Sequence, residues 1–312
     1  MRIDCRSYAK INWSLEILGR RPDGYHEVHT LLQTIDLHDR LQLEATAGQI
    51  EIICDRESLP TDESNLIHRA ARRLRQMKAI TAGVRIRLDK RIPIGAGLGG
   101  GSSNAAVTLL ALQRLWSVRL EAEELFQLGA ELGADVPFFF YGGTALGLGR
   151  GADVYPLPDA KADHVLLVWP RMEVSTRSAY EAWSKNRLEP NPSARLTTQT
   201  LPGNIPGSCA AVFRACEVLL AEQNIALSQT VRNDLEPVVL GAHPEMREVF
   251  ERLRAAQAKT VRMSGSGSAV YAVFDSGEEV EGAMAGLADQ PWQLVSTRTV
   301  GREEYRKTLM SQ

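Results

Sequence analysis

Ile11, Trp13, Leu15 and Ile17 alternate with Asn12, Ser14 and Glu16, a period of two that predicts a half-buried strand. Lys10 and Asn12 lie two residues apart on its polar face and point the same way. Thr30 to Ile35, Leu41 to Ala45 and Ile50 to Cys54 have strand character too, so the chain opens with an antiparallel run. The period then changes. Leu66, Ile67, Ala70, Leu74 and Met77 share one helical face, with Asp62 or Ser64 as the cap. Val84, Ile86 and Leu88 predict a strand, and Ala106, Leu109, Leu110 and Leu115 a helix. A further helix from Ala122 to Leu132 ends at Gly133. Glycines at 142–143 and between 147 and 151 punctuate a loose segment of short strands, and Pro156-Leu157-Pro158 marks a domain boundary.

Beyond that boundary the reading is a strand at Val165 to Trp169, a helix at Ser175 to Trp183 and a surface loop punctuated by Pro190, Pro192, Pro202 and Pro206. Helices follow at Ala211 to Ala221 and Pro244 to Ala255, with Asn233-Asp234-Leu235-Glu236-Pro237 between them. A strand–loop–strand from Val261 to Val270, a helix from Glu278 and a strand at Leu294 to Thr299 complete the pattern.

The 312 residues suffice for one large domain or two ordinary ones. A formal charge of -2 offers no electrostatic attraction to nucleic acid or an anionic membrane. No apolar run has the length of a transmembrane helix, and Met1-Arg2-Ile3-Asp4 opens no signal or transit peptide. Cys5, Cys54, Cys209 and Cys216 lack metal or redox spacing and read as reduced core thiols. The expectation is a cytoplasmic protein, monomer or homodimer, whose partner is a small molecule rather than nucleic acid or membrane.

Candidate chemistry concentrates between the strand at Val84 and the helix at Ala106. Pro93-Ile94-Gly95-Ala96-Gly97-Leu98-Gly99-Gly100-Gly101-Ser102-Ser103 holds five glycines among seven residues at a strand-to-helix junction. Such a loop offers a ligand backbone N–H groups, and the helix behind it adds first-turn donors and a positive dipole end. A phosphate chain is the matching guest. Gly95, Gly97 and Gly100 fit the dinucleotide fingerprint, with Glu121 near the offset of its ribose-binding acid, but Lys90-Arg91-Ile92-Pro93 separates the loop from its strand. The Walker pattern fails because Gly101 stands at the lysine position, and the His-Arg-Asp and Asp-Phe-Gly of protein kinases do not occur.

Other residues carry weaker signals. By composition Lys10 is a solvated strand lysine more readily than a functional one, although only seven of the 36 basic residues are lysine. Asp135 precedes Val136-Pro137-Phe138-Phe139-Phe140, a dry setting in which a carboxylate needs a partner, a capping role or a chemical one. Tyr25-His26 follows the turn Pro22-Asp23-Gly24 and offers a small flat recognition surface. Ser264-Gly265-Ser266-Gly267 reads as a hairpin connection or as a second small-residue loop folded near the first.

Ala9-Lys10-Ile11-Asn12, the block Arg21-Pro22-Asp23-Gly24-Tyr25-His26, the glycine loop with its Ser-Ser pair, Gly133-Ala134-Asp135-Val136-Pro137, Asn233 to Pro237 and Met263 to Gly267 occur in this order along nearly the whole chain. Together they resemble the GHMP kinase superfamily. The resemblance implies a two-domain α+β fold with antiparallel and mixed sheets, divided here as 1–156 and 157–312, and an active-site cleft between the domains. It implies an ATP- and Mg2+-dependent kinase, within a branch that phosphorylates the 2-hydroxyl of a cytidylylated methylerythritol on the non-mevalonate route to isoprenoids. It makes Asp135 the base and Lys10 the residue that orients it. The loop from Pro93 to Ser103, with Asn65 on the adenine side, becomes the ATP site, with Ser102 or Ser103 touching a phosphate or the metal. Asn12, Tyr25, His26, Thr176 and Tyr180 become substrate contacts, the two tyrosines as stacking rings. Ala96 stands where many members have glycine, which argues that this position needs no positive φ. A kinase for mevalonate- or homoserine-type alcohols is a rival, though those substrates have no base for Tyr25-His26 and Tyr180 to stack on; so is a non-catalytic, ligand-binding sensor of the same fold, which would be expected to lose Lys10 or Asp135.

Overall fold

The computed structural model describes residues 1–186 and 232–311. The expected loop from Pro190 to Pro206, the helix at Ala211 to Ala221, Cys209 and Cys216 lie outside the described residues.

Two long antiparallel strands form the spine, β1 (Arg2–Arg20) and β2 (His26–Thr46). β2 is one strand, where the sequence suggests two pieces. Asp36, His38 and Asp39 interrupt the apolar alternation but stay within the strand, since Asp36 N–H donates to Arg298 O at 2.9 Å and Asp39 is fully buried with partners. The remaining elements of the first half are β3 (Ile50–Cys54), α1 (Leu66–Met77), β4 (Gly83–Asp89), α2 (Gly100–Leu115), α3 (Ala122–Leu132), α4 (Phe138–Tyr141), β5 (Thr144–Leu148) and β6 (Asp153–Pro156). β4 pairs antiparallel with β2, but β3 pairs parallel with β4. The early run is therefore mixed rather than wholly antiparallel, because α1 serves as the crossover that a parallel neighbour requires.

The second sheet contains β7 (Val165–Trp169), β8 (Thr260–Met263), β9 (Val270–Val273) and β10 (Gln293–Thr297) in the order β10-β7-β9-β8. Its helices are α5 (Thr176–Asn186), α6 (Glu236–Ala242), α7 (Glu245–Ala255) and α8 (Gly277–Gly286). The chain then returns to the first sheet. α9 (Arg302–Thr308) buries Tyr305, whose hydroxyl donates to Phe139 O, and β11 (Met310–Ser311) pairs with β1 at Asp4 and Cys5.

A register shift between β1 and β2 marks where the residues of β1 change face. A register shift at Tyr8/Ala9 moves the odd-numbered positions from the helix side, where Ile3 and Cys5 pack, to the second-sheet side. There Ala9, Ile11 and Trp13 pack with Val165, Leu167, Ala269 and Tyr271. The stretch Ser7 to Trp13 is consequently buried on both faces, not half-buried, and Lys10 and Asn12 lie between the two halves of the protein. Among the described residues, no helix is long and apolar enough to cross a membrane.

Candidate functional site

β4 delivers the chain to the glycine loop, and α2 starts at its end without a side-chain cap, since its N-cap is Gly99. The first-turn amides of α2 are thus left to the loop and to whatever enters the cleft. Gly97 has φ +77, and a Cβ there would come within 2.2 Å of Ser264 O. Gly99 has φ +68, and its Cβ would meet Lys10 Cγ at 3.0 Å and Phe139 Cζ at 3.1 Å. Ala96 is not among the positive-φ residues, and its carbonyl accepts from Ala269 N–H at 3.0 Å. The second small-residue loop does fold against the first: Ser264 Oγ donates to Gly97 O at 3.0 Å, and Asn233 Nδ2 braces it through Met263 O and Gly265 O. Overpacking costs about 1–3 kcal/mol, so Gly97→Ala is expected to raise the KM for ATP by about 10- to 100-fold in steady-state kinetics. Gly282→Ala, in α8 with open space around it, is expected to change nothing.

Lys10 threads between these loops. Its ammonium is ringed by three acceptors: Asn12 Oδ1 at 2.6 Å, Gly97 O at 2.8 Å and Asp135 Oδ2 at 3.6 Å. Burial pulls the Lys10 pKa below its ordinary value, and the Asp135 charge opposes that shift. Asn12 is fixed in turn, its Nδ2 donating to Thr30 Oγ1 at 2.7 Å. Asp135 arrives from the turn after α3 and is held by buried Val136, Phe138 and Phe139. Its side chain is 34% exposed against 3% for Lys10, so the carboxylate faces both its partner and the cleft. α4 has no side-chain cap, which removes the capping role from Asp135.

A buried network beneath the loop has no counterpart in the sequence pattern. Lys90 Nζ donates to Asp39 Oδ2 at 2.6 Å, and the other oxygen of Asp39 accepts from Arg91 N–H and Ile92 N–H at 2.7 and 2.8 Å. Asn104 Nδ2 donates to both Asp39 Oδ2 and Ser7 Oγ. One carboxylate therefore ties the entry of the loop to the first turns of α2. The run Leu37-His38-Asp39-Arg40 gives no hint of it, because the partners are 51 to 65 residues away.

Two expected site residues are placed differently. Ser103 is fully buried, accepting from Ser7 Oγ at 2.7 Å, and does not reach the cleft; Ser102 does. Asn65 lines the cleft but is also the N-cap of α1, in place of Asp62 or Ser64: its Oδ1 accepts from Ile67 N–H at 2.9 Å and its Nδ2 donates to Pro60 O at 2.7 Å. Asp62 instead accepts from Ser64. Met77, expected inside, is 43% exposed at the end of α1.

The far end of the cleft is aromatic and cationic. Tyr25 is 57% exposed, with the Arg150 guanidinium 4.8 Å from its ring centroid. The His26 ring lies 4.9 Å from that of Tyr180 and 5.8 Å, edge-on, from that of Trp183. Burial first and the nearby Arg20 second lower the His26 pKa, while burial and the Asp135 charge raise that of Tyr180. Thr176 Oγ1 and Ser266 Oγ share a hydrogen bond of 2.8 Å, joining α5 to the second loop. The glycine loop, Lys10, Asn12, Asp135, Tyr25, His26, Thr176 and Tyr180 all line one cleft of about 1150 Å³. That volume exceeds what a single drug-sized ligand occupies. Nothing in the local sequence points to Arg150, which is distant along the chain from Tyr25.

The GHMP kinases N terminal domain profile matches residues 65–143, and the GHMP kinases C terminal profile residues 217–291. The 4-diphosphocytidyl-2-C-methyl-D-erythritol kinase of Bacillus cytotoxicus is 36% identical over 305 residues, 97% of this chain and 99% of the relative. The protein of that name from Synechococcus sp. (strain JA-3-3Ab) is 42% identical over 280 residues, covering 89% and 87% of the two chains. A crystal structure of 4-(cytidine 5'-diphospho)-2C-methyl-D-erythritol kinase superposes with a TM-score of 0.75 at 34% identity, covering 96% of this chain and all of the other. Homoserine kinase from Cytophaga hutchinsonii shares the fold, with a TM-score of 0.69 at 20% identity over 97% and 96% of the chains.

Proposed function

We propose that this chain, which belongs to the family of 4-diphosphocytidyl-2-C-methyl-D-erythritol kinases, transfers the γ-phosphoryl group of ATP to the 2-hydroxyl of 4-diphosphocytidyl-2-C-methyl-D-erythritol. The step belongs to non-mevalonate isoprenoid precursor synthesis. The observation that carries the reading is the buried Lys10 ammonium facing the Asp135 carboxylate in the same cleft as the glycine loop.

In this reading the 2-hydroxyl oxygen forms a bond to the γ-phosphorus as the bond to the bridging oxygen of ADP breaks, and ADP leaves with that electron pair. Asp135 accepts the hydroxyl proton. Lys10 fixes the carboxylate and places a positive charge beside the reacting oxygens, while the loop amides and the start of α2 hold the phosphates. Phosphoryl transfer demands little covalent help from a protein, so position and charge are what the site must supply. Mg2+ belongs to the same proposal. Among the described residues no group of three or more His, Cys, Asp or Glu can hold a metal ion. Ser102 nevertheless puts an oxygen donor on the cleft wall, the kind of hard ligand that Mg2+ takes beside phosphate oxygens. Bound with ATP, the ion supplies neutralisation of phosphate charge.

Tyr25, His26 and Tyr180 favour a substrate with a base over mevalonate- or homoserine-type alcohols, which offer nothing flat to stack. Tyr25→Ala is accordingly expected to raise the KM of the cytidylylated substrate about 10-fold or more, at base-stacking energies of about 1–3 kcal/mol, with the KM for ATP little changed. Equal effects on the two would place Tyr25 outside the cytidine site. The reaction itself is checked by 31P NMR of the protein with Mg-ATP and the cytidylylated alcohol: a new phosphomonoester resonance is expected to grow in step with ADP. ADP without that resonance would overturn the assignment of the acceptor.

A further inference from the structure

His26 is held by a hydroxyl that also bonds a main-chain carbonyl. Ser184 sits in the last turn of α5, and its Oγ donates to Tyr180 O at 3.0 Å, the carbonyl four residues back on the same helix. The same Oγ lies 2.8 Å from His26 Nε2. A carbonyl can only accept and a serine hydroxyl has one hydrogen to give, so with that hydrogen on Tyr180 O the hydroxyl acts as acceptor toward the imidazole, and Nε2 carries the proton. Packing keeps the ring from turning away: Tyr180 lies along one side at 4.9 Å and Trp183 meets it edge-on at 5.8 Å. Burial and the Arg20 charge both disfavour the imidazolium. A neutral imidazole with its proton on Nε2 has a lone pair on Nδ1, and no described residue occupies it. His26 lines the cleft beside Tyr25.

We propose that Ser184 is a positioning residue that sets the His26 tautomer, so that Nδ1 is a fixed acceptor selecting a pyrimidine with an exocyclic amino group over one with an oxo group. The inference rests on the cytidine reading above. Cytosine presents an N4 amino donor where uracil presents the O4 acceptor, so a locked lone pair bonds the first and repels the second. Without Ser184 the proton is free to move to Nδ1, and a ring able to offer either a donor or an acceptor loses its preference. A buried polar group built for one partner gives discrimination of this kind, because the wrong partner leaves it unpaired.

The experiment compares the cytidylylated and uridylylated forms of the same alcohol as phosphoryl acceptors, in wild type, Ser184→Ala and Ser184→Thr, with 15N NMR of imidazole-labelled protein as a second readout and His26→Gln for assignment. Wild type is expected to prefer the cytidylylated form and to show the Nε2–H tautomer. Ser184→Ala is expected to lower the ratio of kcat/KM values about 10-fold, through the KM of the cytidylylated form rather than kcat, with the KM for ATP unmoved and the tautomer signal shifted toward Nδ1–H. Ser184→Thr keeps the hydroxyl and is expected to restore both readouts. An Nδ1–H tautomer in wild type, or an unchanged ratio in Ser184→Ala, overturns the inference while leaving the kinase reading intact. No turnover of either form by wild type overturns the cytidine reading, and this inference with it.

Discussion

Asp135→Asn is expected to lower kcat by ~10²–10⁴, the range general-base help contributes, while leaving the Kd for ATP within about twofold. The substitution keeps the shape of the side chain and removes its negative charge, and with it the capacity to take a proton. The turn after α3 and the buried Val136, Phe138 and Phe139 hold the backbone whatever the side-chain charge, so the position of residue 135 should survive. In the proposed reading ATP binding rests on the loop and the start of α2, whereas the partner of the Asp135 carboxylate is Lys10, so affinity and turnover should separate. Calorimetric titration with ATP beside steady-state turnover reads both. Turnover retained within a few-fold would remove Asp135 as the base.

Lys10→Met is expected to damage both quantities at once. The ammonium balances Asp135 and also bonds Asn12 Oδ1 and Gly97 O. Its loss takes the donor from Asn12 Oδ1 and leaves Gly97 O with Ser264 Oγ. Leaving a buried polar group unsatisfied costs about 1–3 kcal/mol, and removing one charge-stabilising donor costs about 3–4 kcal/mol of transition-state energy. A fall in kcat/KM of ~10³ or more follows, together with weaker ATP binding, since Gly97 O is one of the atoms that keeps the loop against β1. Lys10→Arg is not expected to rescue it. The side chain runs close past Gly99, where a Cβ would lie 3.0 Å from Lys10 Cγ, and a planar fork does not match three acceptors placed around one nitrogen. The contrast with Asp135→Asn, in which ATP binding is spared, is what identifies Lys10 as serving both halves of the site.

Much of this site is legible in the sequence because its parts are local. The glycine loop is a run of residues with one conformational demand, bracketed by a strand of period two and a helix, and it lies where β4 and α2 place it. The alternation around Lys10 puts Lys10 and Asn12 on one side of β1, and their side chains do meet. Asp135 announces itself by an apolar neighbourhood that a carboxylate does not enter without a partner. What escapes is long-range or depends on one residue of register. The register shift at Tyr8/Ala9 and the second sheet packed on Ala9, Ile11 and Trp13 leave this part of β1 covered on both faces, and no pattern of period two encodes that. Three capping residues stand within Asp62 to Asn65, and only the completed loop selects Asn65. Ser102 and Ser103 differ by about 100° around α2, enough to send one into the cleft and the other to Ser7. The Asp39–Lys90 pair and the return of α9 and β11 to the first sheet join positions far apart in the chain, where periodicity is silent. α6 is hidden for a simpler reason: Asn233 to Pro237 reads as a connecting loop, yet Pro237 falls within the first two helical positions, where its missing N–H costs nothing.

ADP release from Mg-ATP by the purified protein, measured in parallel with 4-diphosphocytidyl-2-C-methyl-D-erythritol, mevalonate and homoserine, tests most directly the claim that one cleft joins a phosphate loop, a Lys10–Asp135 pair and a cytidine reader. Release with the cytidylylated alcohol alone is the expected result. Release with mevalonate or homoserine at a comparable rate would contradict the cytidine site while sparing the kinase fold, and ATP binding without release in any of the three would contradict the kinase reading itself.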